Sequence, residues 1–460
     1  MSRFSEMFDK VTPMLSRYLE DESNSRHSLY STPESLSEKL DLKLGKGYAD
    51  YDKVISSLEE IIKHTPKTGS RVFFNQLFGG KDIASMIGEM SAMALNSSMY
   101  TYKVAGSQIL VEMEVVRRFL EVSGFDEGEG TIVPGGSISN LVCMLAAINK
   151  ANPNHRNEGH DGKKYIAYTS EECHYSVKKN MGILGLGRKN LRKVKADTEG
   201  RMLATELVRM VLEDKSKGFI PFLVVATSGT TVRGAFDDLT SIHDVTSKHG
   251  LWLHVDGAYG GSFLFVESMK KYFAGLENAD SFTWDPHKIL GVPLLASAAL
   301  FREKGWLKRI FNEAADYLFQ TDADVYNPGN NSLQCGRKND ALKIWTAWKY
   351  FGDDGYADMI GKLLGLAQYM EQHVIADESM ELVLDRESLN VCFNYKGVDA
   401  KALCERLYKE GNAMIGYGSV GEKVFIRFVV LNPDLGNDDI DHLVDVIKAT
   451  GNEMINESRG

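Results

Sequence analysis

Short apolar runs alternate with amphipathic stretches through the middle of the chain. The runs that we predict to be strands span residues 164–168, 222–226, 251–255 and 295–301. Helical spacing of apolar residues predicts helices at 83–95, 109–122 and 238–249. Strands that alternate with helices are typical of βαβ units. The pattern therefore predicts an α/β domain with a mainly parallel sheet.

The two ends of the chain have a different pattern. Residues 1–65 predict helical segments separated by a polar stretch at 20–37. From about residue 346 onward, predicted helices at 360–374 and 400–410 alternate with strand-like segments at 389–395 and 423–430. We therefore predict an N-terminal helical segment (1–82), a large domain (83–345) and a small C-terminal α+β domain (346–460).

Composition and charge exclude several classes of protein. The chain has 460 residues and a formal net charge of −10, whereas nucleic-acid-binding proteins usually carry a basic patch. No apolar run is long enough to span a membrane, and charges throughout the N-terminus argue against a signal peptide. The five cysteines form no CxxC pair, so we expect reduced thiols and no metal site. A cytoplasmic enzyme is expected.

Two residues at the predicted strand ends carry the main chemical signal. Asp256 follows the apolar run 251–255, and Lys288 follows a second short apolar stretch and Pro286. Ligands of parallel sheets bind beyond the carboxyl ends of the strands. A lysine amine can hold an aldehyde covalently, and a carboxylate can keep a pyridine nitrogen protonated. Each residue alone is more often a cap or a surface charge, but the combination favours pyridoxal phosphate chemistry.

Three further segments can serve the same cofactor. Gly136 and Ser137 stand at the start of an apolar helix, where backbone N–H groups can bind a phosphate. His174 follows the predicted strand 164–168, and an imidazole there can stack on a cofactor ring. Thr231 ends a Ser/Thr-rich turn whose hydroxyls can reach the cofactor or a substrate carboxylate. Taken singly, each segment is better explained as an ordinary turn, cap or satisfied histidine.

Together, these motifs resemble the group II pyridoxal phosphate-dependent amino-acid decarboxylases, in the glutamate and cysteine sulfinate decarboxylase branch. The segments that carry the resemblance are 74–78, 134–140, 170–178, 254–261 with 284–288, and 317–320 with 333–337. The resemblance implies fold type I, which is aspartate-aminotransferase-like, with a mainly parallel seven-stranded sheet in the large domain. It also implies a homodimer whose active sites are shared between subunits.

The resemblance implies roles for individual residues. Lys288 would bind pyridoxal 5'-phosphate covalently, and Asp256 would pair with its ring nitrogen. The other implied cofactor-binding residues are Ala258 and His174 on the two ring faces, Gly136, Ser137 and His287 at the phosphate, and Thr231. Lys288, His174 and Tyr317 would be catalytic. Tyr317 would lie on a loop that reaches the partner's site and would protonate the substrate carbon after CO2 leaves.

The resemblance also implies an acidic amino-acid substrate. Arg427 would bind a substrate carboxylate, and Gln76 would lie near the distal acidic group. The bulky Phe78 would shorten the pocket by about a methylene, which favours cysteine sulfinate or aspartate over glutamate by about 1–3 kcal/mol. Glutamate decarboxylation remains the first alternative.

Two further alternatives remain open. One is another lyase or an aldehyde synthase on the same fold, which the presence of Tyr317 disfavours. The other is a non-enzymatic protein, which the presence of both Lys288 and Asp256 disfavours. In addition, Asp285 stands where the related enzymes have Asn. Because a carboxylate would repel a phosphate, we leave Asp285 out of the predicted phosphate site.

Overall fold

The structure, a computed structural model, describes residues 3–22, 30–78, 80–313 and 326–459. The chain divides into two compact units. The terminal unit comprises Met1–Gly79, Gly365–Asp385 and Asn390–Gly460, and the central unit comprises Gly80–Leu364 and Arg386–Leu389. The domain boundaries expected from the sequence, at 82/83 and 345/346, stay predictions.

The strands of the described residues fall into two sheets. In chain order they are β1 (Phe73–Phe74), β2 (Glu129–Val133), β3 (Tyr165–Ser170), β4 (Leu191–Val194), β5 (Ile220–Thr227), β6 (Trp252–Asp256), β7 (Ser281–Trp284), β8 (Ser297–Phe301), β9 (Met380–Leu384), β10 (Asn390–Tyr395), β11 (Met414–Val420) and β12 (Lys423–Val429).

The α-helices of the same residues are α1 (Arg3–Glu22), α2 (Pro33–Lys39), α3 (Tyr51–His64), α4 (Ile83–Leu95), α5 (Tyr102–Ala105), α6 (Ser107–Val122), α7 (Gly136–Ala151), α8 (His155–Glu158), α9 (Ser176–Ile183), α10 (Ala204–Ser216), α11 (Leu239–His249), α12 (Pro286–Ile289), α13 (Trp306–Phe311), α14 (Ala341–Ala376), α15 (Ala400–Glu410) and α16 (Asn437–Arg459). Short 3-10 helices span Arg188–Asn190, Gly260–Phe265, Glu267–Phe273, Leu276–Asn278 and Pro328–Asn331. Within the described ranges, no helix is both long and apolar enough to cross a membrane.

The central unit contains the seven-stranded sheet, in the order β2-β8-β7-β6-β5-β3-β4. The pairings among β3 to β7 are parallel, whereas β8 runs antiparallel to both β2 and β7. Every residue of β3, β6, β7 and β8 is buried. Strands buried on both faces form nearly continuous apolar runs, which explains why β3, β5 and β6 are visible in the sequence. The predicted α/β class with a mainly parallel seven-stranded sheet is confirmed.

Element boundaries differ from the prediction in several places. The run at 295–301 forms a strand only from Ser297 onward, and Asp256 is the last residue of β6 instead of the residue after it. The segment predicted as a helix at 360–374 belongs to the longer α14, which is interrupted at Gly352, where φ is +62°. The short β2 and β4 were not predicted, because polar and charged residues break their apolar pattern.

The terminal unit contains a five-stranded sheet in the order β1-β11-β12-β10-β9. Its strand β1 comes from the N-terminal segment and pairs in parallel with β11. The ring of Phe74 on β1 stacks on Phe428 of β12, with 5.1 Å between centroids. This segment therefore contributes a strand to the small α+β sheet in addition to its helices.

Candidate active site

A cavity of about 300 Å³ lies at the edge of the central sheet where β5, β6 and β7 end. Its lining residues are Pro134, Gly135, Gly136, Ser137, Asn140, His174, Thr227, Gly229, Thr231, Asp256, Ala258, Tyr259, Asp285, His287, Lys288 and Leu295. All of the residues predicted to bind the cofactor are in this lining. The fold thus brings together residues that lie as far apart in the chain as Gly136 and Lys288.

The strand register positions the acidic side of the cavity. Asp256 ends β6, where it is paired in register with Thr227 of β5 and Thr283 of β7. Lys288 lies one turn beyond β7, in the short helix α12, which has Pro286 in its first turn. Because parallel strands end at the same edge of the sheet, Asp256 and Lys288 lie on the walls of one cavity.

Asp256 is held by hydrogen bonds on both carboxylate oxygens. Its side chain is 5% exposed. The Asn140 side-chain amide donates from Nδ2 to Oδ2 at 2.7 Å, and the backbone N–H of Ala258 donates to Oδ1 at 3.1 Å. These two donors fix the plane of the carboxylate and leave it lone pairs for a ligand.

The start of α7 has features that favour the binding of an anion. Gly135 has φ +94°, a conformation that favours glycine, and the next residue, Gly136, begins the helix. The first N–H groups of a helix have no acceptor within the helix, and the positive end of the helix dipole lies there. The Asn180 amide donates to the backbone carbonyl of Ser137 at 3.0 Å, which anchors this turn.

Asp285 lies close to both the start of α7 and Lys288. It is 1% exposed, and its Oδ2 lies 3.3 Å from Lys288 Nζ. The Ser297 hydroxyl donates to Oδ1 at 2.5 Å. A Cβ atom on Gly136 would lie 2.6 Å from Oδ2. Glycine at 136 is therefore required by the carboxylate beside it.

Burial keeps both site histidines neutral, because desolvation lowers the pKa of His174 and that of His287. The His174 ring nitrogen Nδ1 lies 2.8 Å from the hydroxyl of Ser176 and accepts from the Ser176 backbone N–H at 3.3 Å. An accepting Nδ1 places the proton of a neutral imidazole on Nε2. His287 is fixed by a 2.5 Å contact between its Nδ1 and the carbonyl of Ala296.

The predicted substrate residues lie in the terminal unit. Arg427, on β12, donates from Nη2 to the backbone carbonyl of Asn75, the residue before Gln76. The ring of Phe78 lies 6.3 Å from that of Phe73. The structure thus brings Arg427 beside the 75–78 segment, and the substrate-binding roles stay predictions. Tyr317 lies outside the described residues, so its role also stays a prediction.

Sequence reasoning gave no role to several residues of the cavity. Asn140 ends the segment 134–140 that carries the family resemblance but had no predicted function, although a polar residue directly before an apolar helical run is a detectable signal. Gly229 has φ +92°, and a Cβ there would lie 2.9 Å from the Tyr259 ring. Nothing in the local pattern predicts that contact, because it joins two separate strand ends.

Comparison with known proteins gives a consistent result. The pyridoxal-dependent decarboxylase conserved domain matches residues 33–396. The chain is 38% identical to acidic amino acid decarboxylase GADL1 from Bos taurus over 94% of this chain and 87% of that protein. It is 39% identical to cysteine sulfinic acid decarboxylase from Mus musculus over 92% of this chain and 91% of that protein. The crystal structure of mouse CSAD superposes with a TM-score of 0.94, at 35% identity over 98% of this chain and 99% of that one.

Proposed function

The chain belongs to the pyridoxal-dependent decarboxylase family, and on that premise we propose that it removes the α-carboxyl group of a small acidic amino acid. The favoured substrates are cysteine sulfinate and aspartate, which would give hypotaurine and β-alanine. As a member of this family, the chain is a carboxy-lyase that uses pyridoxal 5'-phosphate. The observation that carries the proposal is the gathering of Lys288, Asp256 and the start of α7 around one cavity.

The cavity suits pyridoxal 5'-phosphate in its donor set. It offers an amine at Lys288, a buried carboxylate at Asp256 and the N-terminus of the 16-residue helix α7. These three groups match an aldehyde, a pyridinium N–H and a phosphate. Gly136 carries no side chain, which lets the start of α7 lie against the Asp285 carboxylate, 2.6 Å from where a Cβ would stand.

We assign the following work to the residues of the chain. Lys288 would hold the cofactor aldehyde through its amine. Asp256 would accept a hydrogen bond from the ring N–H and favour the charged form of the ring. Gly136, Ser137 and His287 would hold the phosphate. The bound cofactor supplies a ring that accepts the electron pair released when CO2 leaves.

His174 is suited to orienting the substrate. Because its Nδ1 accepts from Ser176, its Nε2–H is the group that can donate to a substrate carboxylate. Burial keeps the ring neutral, so that it can lie against the cofactor without adding a charge. We propose that Tyr317 protonates the substrate carbon after CO2 leaves.

The acidic substrate class is supported by the relatives, whose names specify acidic amino acids and cysteine sulfinic acid. Arg427 is the proposed carboxylate ligand, because a guanidinium binds a carboxylate with two parallel hydrogen bonds. Its contact with Asn75 connects it to the segment that carries Gln76 and Phe78. We propose that Phe78 sets the length of substrate that is accepted.

We also propose a homodimer, which an apolar stripe on α4 supports. Ile83, Ile87 and Met90 follow helical i, i+4, i+7 spacing and are 75%, 57% and 46% exposed. An apolar stripe on one helix face usually marks a contact surface. Sedimentation of the wild type against Ile87→Glu tests this proposal, since a charge at a buried dimer contact would shift the protein toward monomer.

The expected cytoplasmic location stays a prediction.

A competition assay tests the proposed reaction. The purified holoenzyme is given equal cysteine sulfinate, aspartate and glutamate, and the CO2 and each amine are measured. Hypotaurine or β-alanine ahead of γ-aminobutyrate supports the proposal. Dominant γ-aminobutyrate shows a glutamate decarboxylase, and absence of CO2 from all three substrates refutes the acidic substrate class.

Two variants refine this assay. Phe78→Ala should shift the preference toward glutamate by about tenfold or more if the aromatic ring limits substrate length. Val424→Ala, on β12 in the same unit, is the control, because Val424 is 43% exposed. An unchanged preference in Phe78→Ala would remove Phe78 from the specificity argument. An aldehyde product from the wild type would instead favour the aldehyde synthase alternative.

A further inference from the structure

Asp256 stands at one end of a buried chain of hydrogen bonds. The indole N–H of Trp252 donates to the Ser281 hydroxyl at 2.8 Å, and that hydroxyl lies 2.9 Å from His254 Nδ1. His254 Nε2 lies 3.0 Å from Asn140 Oδ1, and Asn140 Nδ2 donates to Asp256. All five side chains are 5% exposed or less.

Chemistry allows one direction of donation along this chain. A carboxylate only accepts hydrogen bonds, so the Asn140 atom at 2.7 Å from Asp256 must be the amide nitrogen. Asn140 Oδ1 then faces His254 Nε2, and because an amide oxygen only accepts hydrogen bonds, Nε2 must carry the proton. In a neutral ring His254 Nδ1 then accepts from the Ser281 hydroxyl, whose oxygen accepts from Trp252, although the Ser281 backbone carbonyl also lies 3.3 Å from Nδ1. Every hydrogen bond thus points toward Asp256.

His254 stays neutral within this chain. It is fully buried, and desolvation lowers the pKa of His254 to about 4, against smaller upward effects from the Asp256 charge and the Ser281 backbone carbonyl. A neutral ring has one N–H and one acceptor nitrogen, which is what the two neighbours require. Aligned hydrogen bonds polarise one another, so the chain strengthens the final bond to the carboxylate.

We infer that Asn140 and His254 are positioning residues that hold the Asp256 carboxylate oriented to pair with the ring nitrogen of the cofactor. The inference rests on the role proposed for Asp256. Asn140 also donates to the Ser176 hydroxyl at 3.2 Å, and Ser176 in turn contacts His174 Nδ1. The Asn140 amide therefore orients both the Asp256 carboxylate and, through Ser176, the ring of His174.

The test compares two cofactors bound by the apoprotein. One is pyridoxal 5'-phosphate, and the other is its 1-deaza analogue, which has C–H in place of the ring nitrogen. The wild type should prefer the natural cofactor, because only its N–H can pair with Asp256. Asn140→Leu and His254→Phe should reduce that preference about tenfold or more, since hydrogen bonds to charged groups are the strong ones.

Two further variants separate this role from packing. Val142→Ala creates a packing defect on the same helix as Asn140. Val142 is 1% exposed and takes no part in the chain of hydrogen bonds, so this variant should keep the full preference for the natural cofactor. His254→Gln retains an N–H donor and should restore most of the preference. If Asn140→Leu does not fold, the smaller Asn140→Ser takes its place.

The outcomes are distinct. A preference that falls in the Asn140 and His254 variants, but not in Val142→Ala, supports the inference. Equal loss of affinity for both cofactors, with the preference intact, overturns it and shows a structural role only. A wild type without any preference overturns both the inference and the role proposed for Asp256.

Discussion

Replacing Asp285 by asparagine tests how this chain tolerates a buried carboxylate beside the start of α7. The substitution keeps the shape of the side chain and a hydrogen-bond acceptor for Ser297 but removes the charge. In the free protein the charge lies 3.3 Å from the Lys288 ammonium and faces the start of α7 at Gly136. We expect Asp285→Asn to bind inorganic phosphate and the phosphorylated cofactor more tightly than the wild type does.

The Asp285–Lys288 distance of 3.3 Å gives the scale of the electrostatic effect. Two unit charges at this distance attract by about 5 kcal/mol at an effective dielectric constant of about 20, before solvation is considered. Desolvation of a buried pair cancels most of such a gain. Loss of the carboxylate also removes its repulsion of a bound phosphate. We therefore expect the free energy of phosphate binding to become more favourable by about 1–3 kcal/mol, which corresponds to about five- to 150-fold tighter binding.

The assay is calorimetric titration of the apoproteins with inorganic phosphate, pyridoxal 5'-phosphate and pyridoxal. Glu127→Gln is the matched control, because it changes the net charge of the protein by the same amount. Its side chain is 94% exposed, and it precedes β2, at the end of that strand away from Gly136. In Asp285→Asn the affinity for inorganic phosphate and for pyridoxal 5'-phosphate should rise, and the affinity for pyridoxal should rise less. Equal or weaker phosphate binding in Asp285→Asn would refute the electrostatic argument.

Three other predictions concern the buried parts of the central unit. Gly257→Ala would place a Cβ 2.2 Å from the Phe282 ring and should lower the free energy of unfolding by about 1–3 kcal/mol in urea titrations; an unchanged midpoint would contradict this. Glu112→Gln breaks a 2.6 Å ion pair with Arg337, in which both side chains are below 10% exposed, and should cost about 3–5 kcal/mol in the same assay. For His254, the folded-state pKa of about 4 lies below the unfolded value of about 6.5, so protons favour the unfolded chain. The unfolding free energy should therefore be highest above about pH 6.5 and fall by about 3 kcal/mol between there and about pH 4, whereas His254→Gln should lack this part of the slope.

The sequence determined the features that arise from neighbouring residues. Buried parallel strands leave continuous apolar runs, so β3, β5 and β6 are visible without a structure, and the residues after such runs lie at the edge where ligands bind. The helix at 83–95 agrees in both bounds with α4. Lys288 and Asp256 at those positions favoured pyridoxal phosphate chemistry, and the motif resemblance then added the reaction class and the roles of the other residues.

Tertiary structure decided which distant polar groups meet. Asn140 and His254 are separated by 114 positions, and no local periodicity connects them. Their contact depends on the order of β8, β7 and β6 in the sheet and on the packing of α7 against it. Likewise, Asp285 is predicted from sequence to be an obstacle to phosphate, and only the fold shows that Lys288 and Ser297 hold it. Periodicity reports the burial of a segment, whereas the partner of a buried polar group is set by strand order and register, which single segments do not encode.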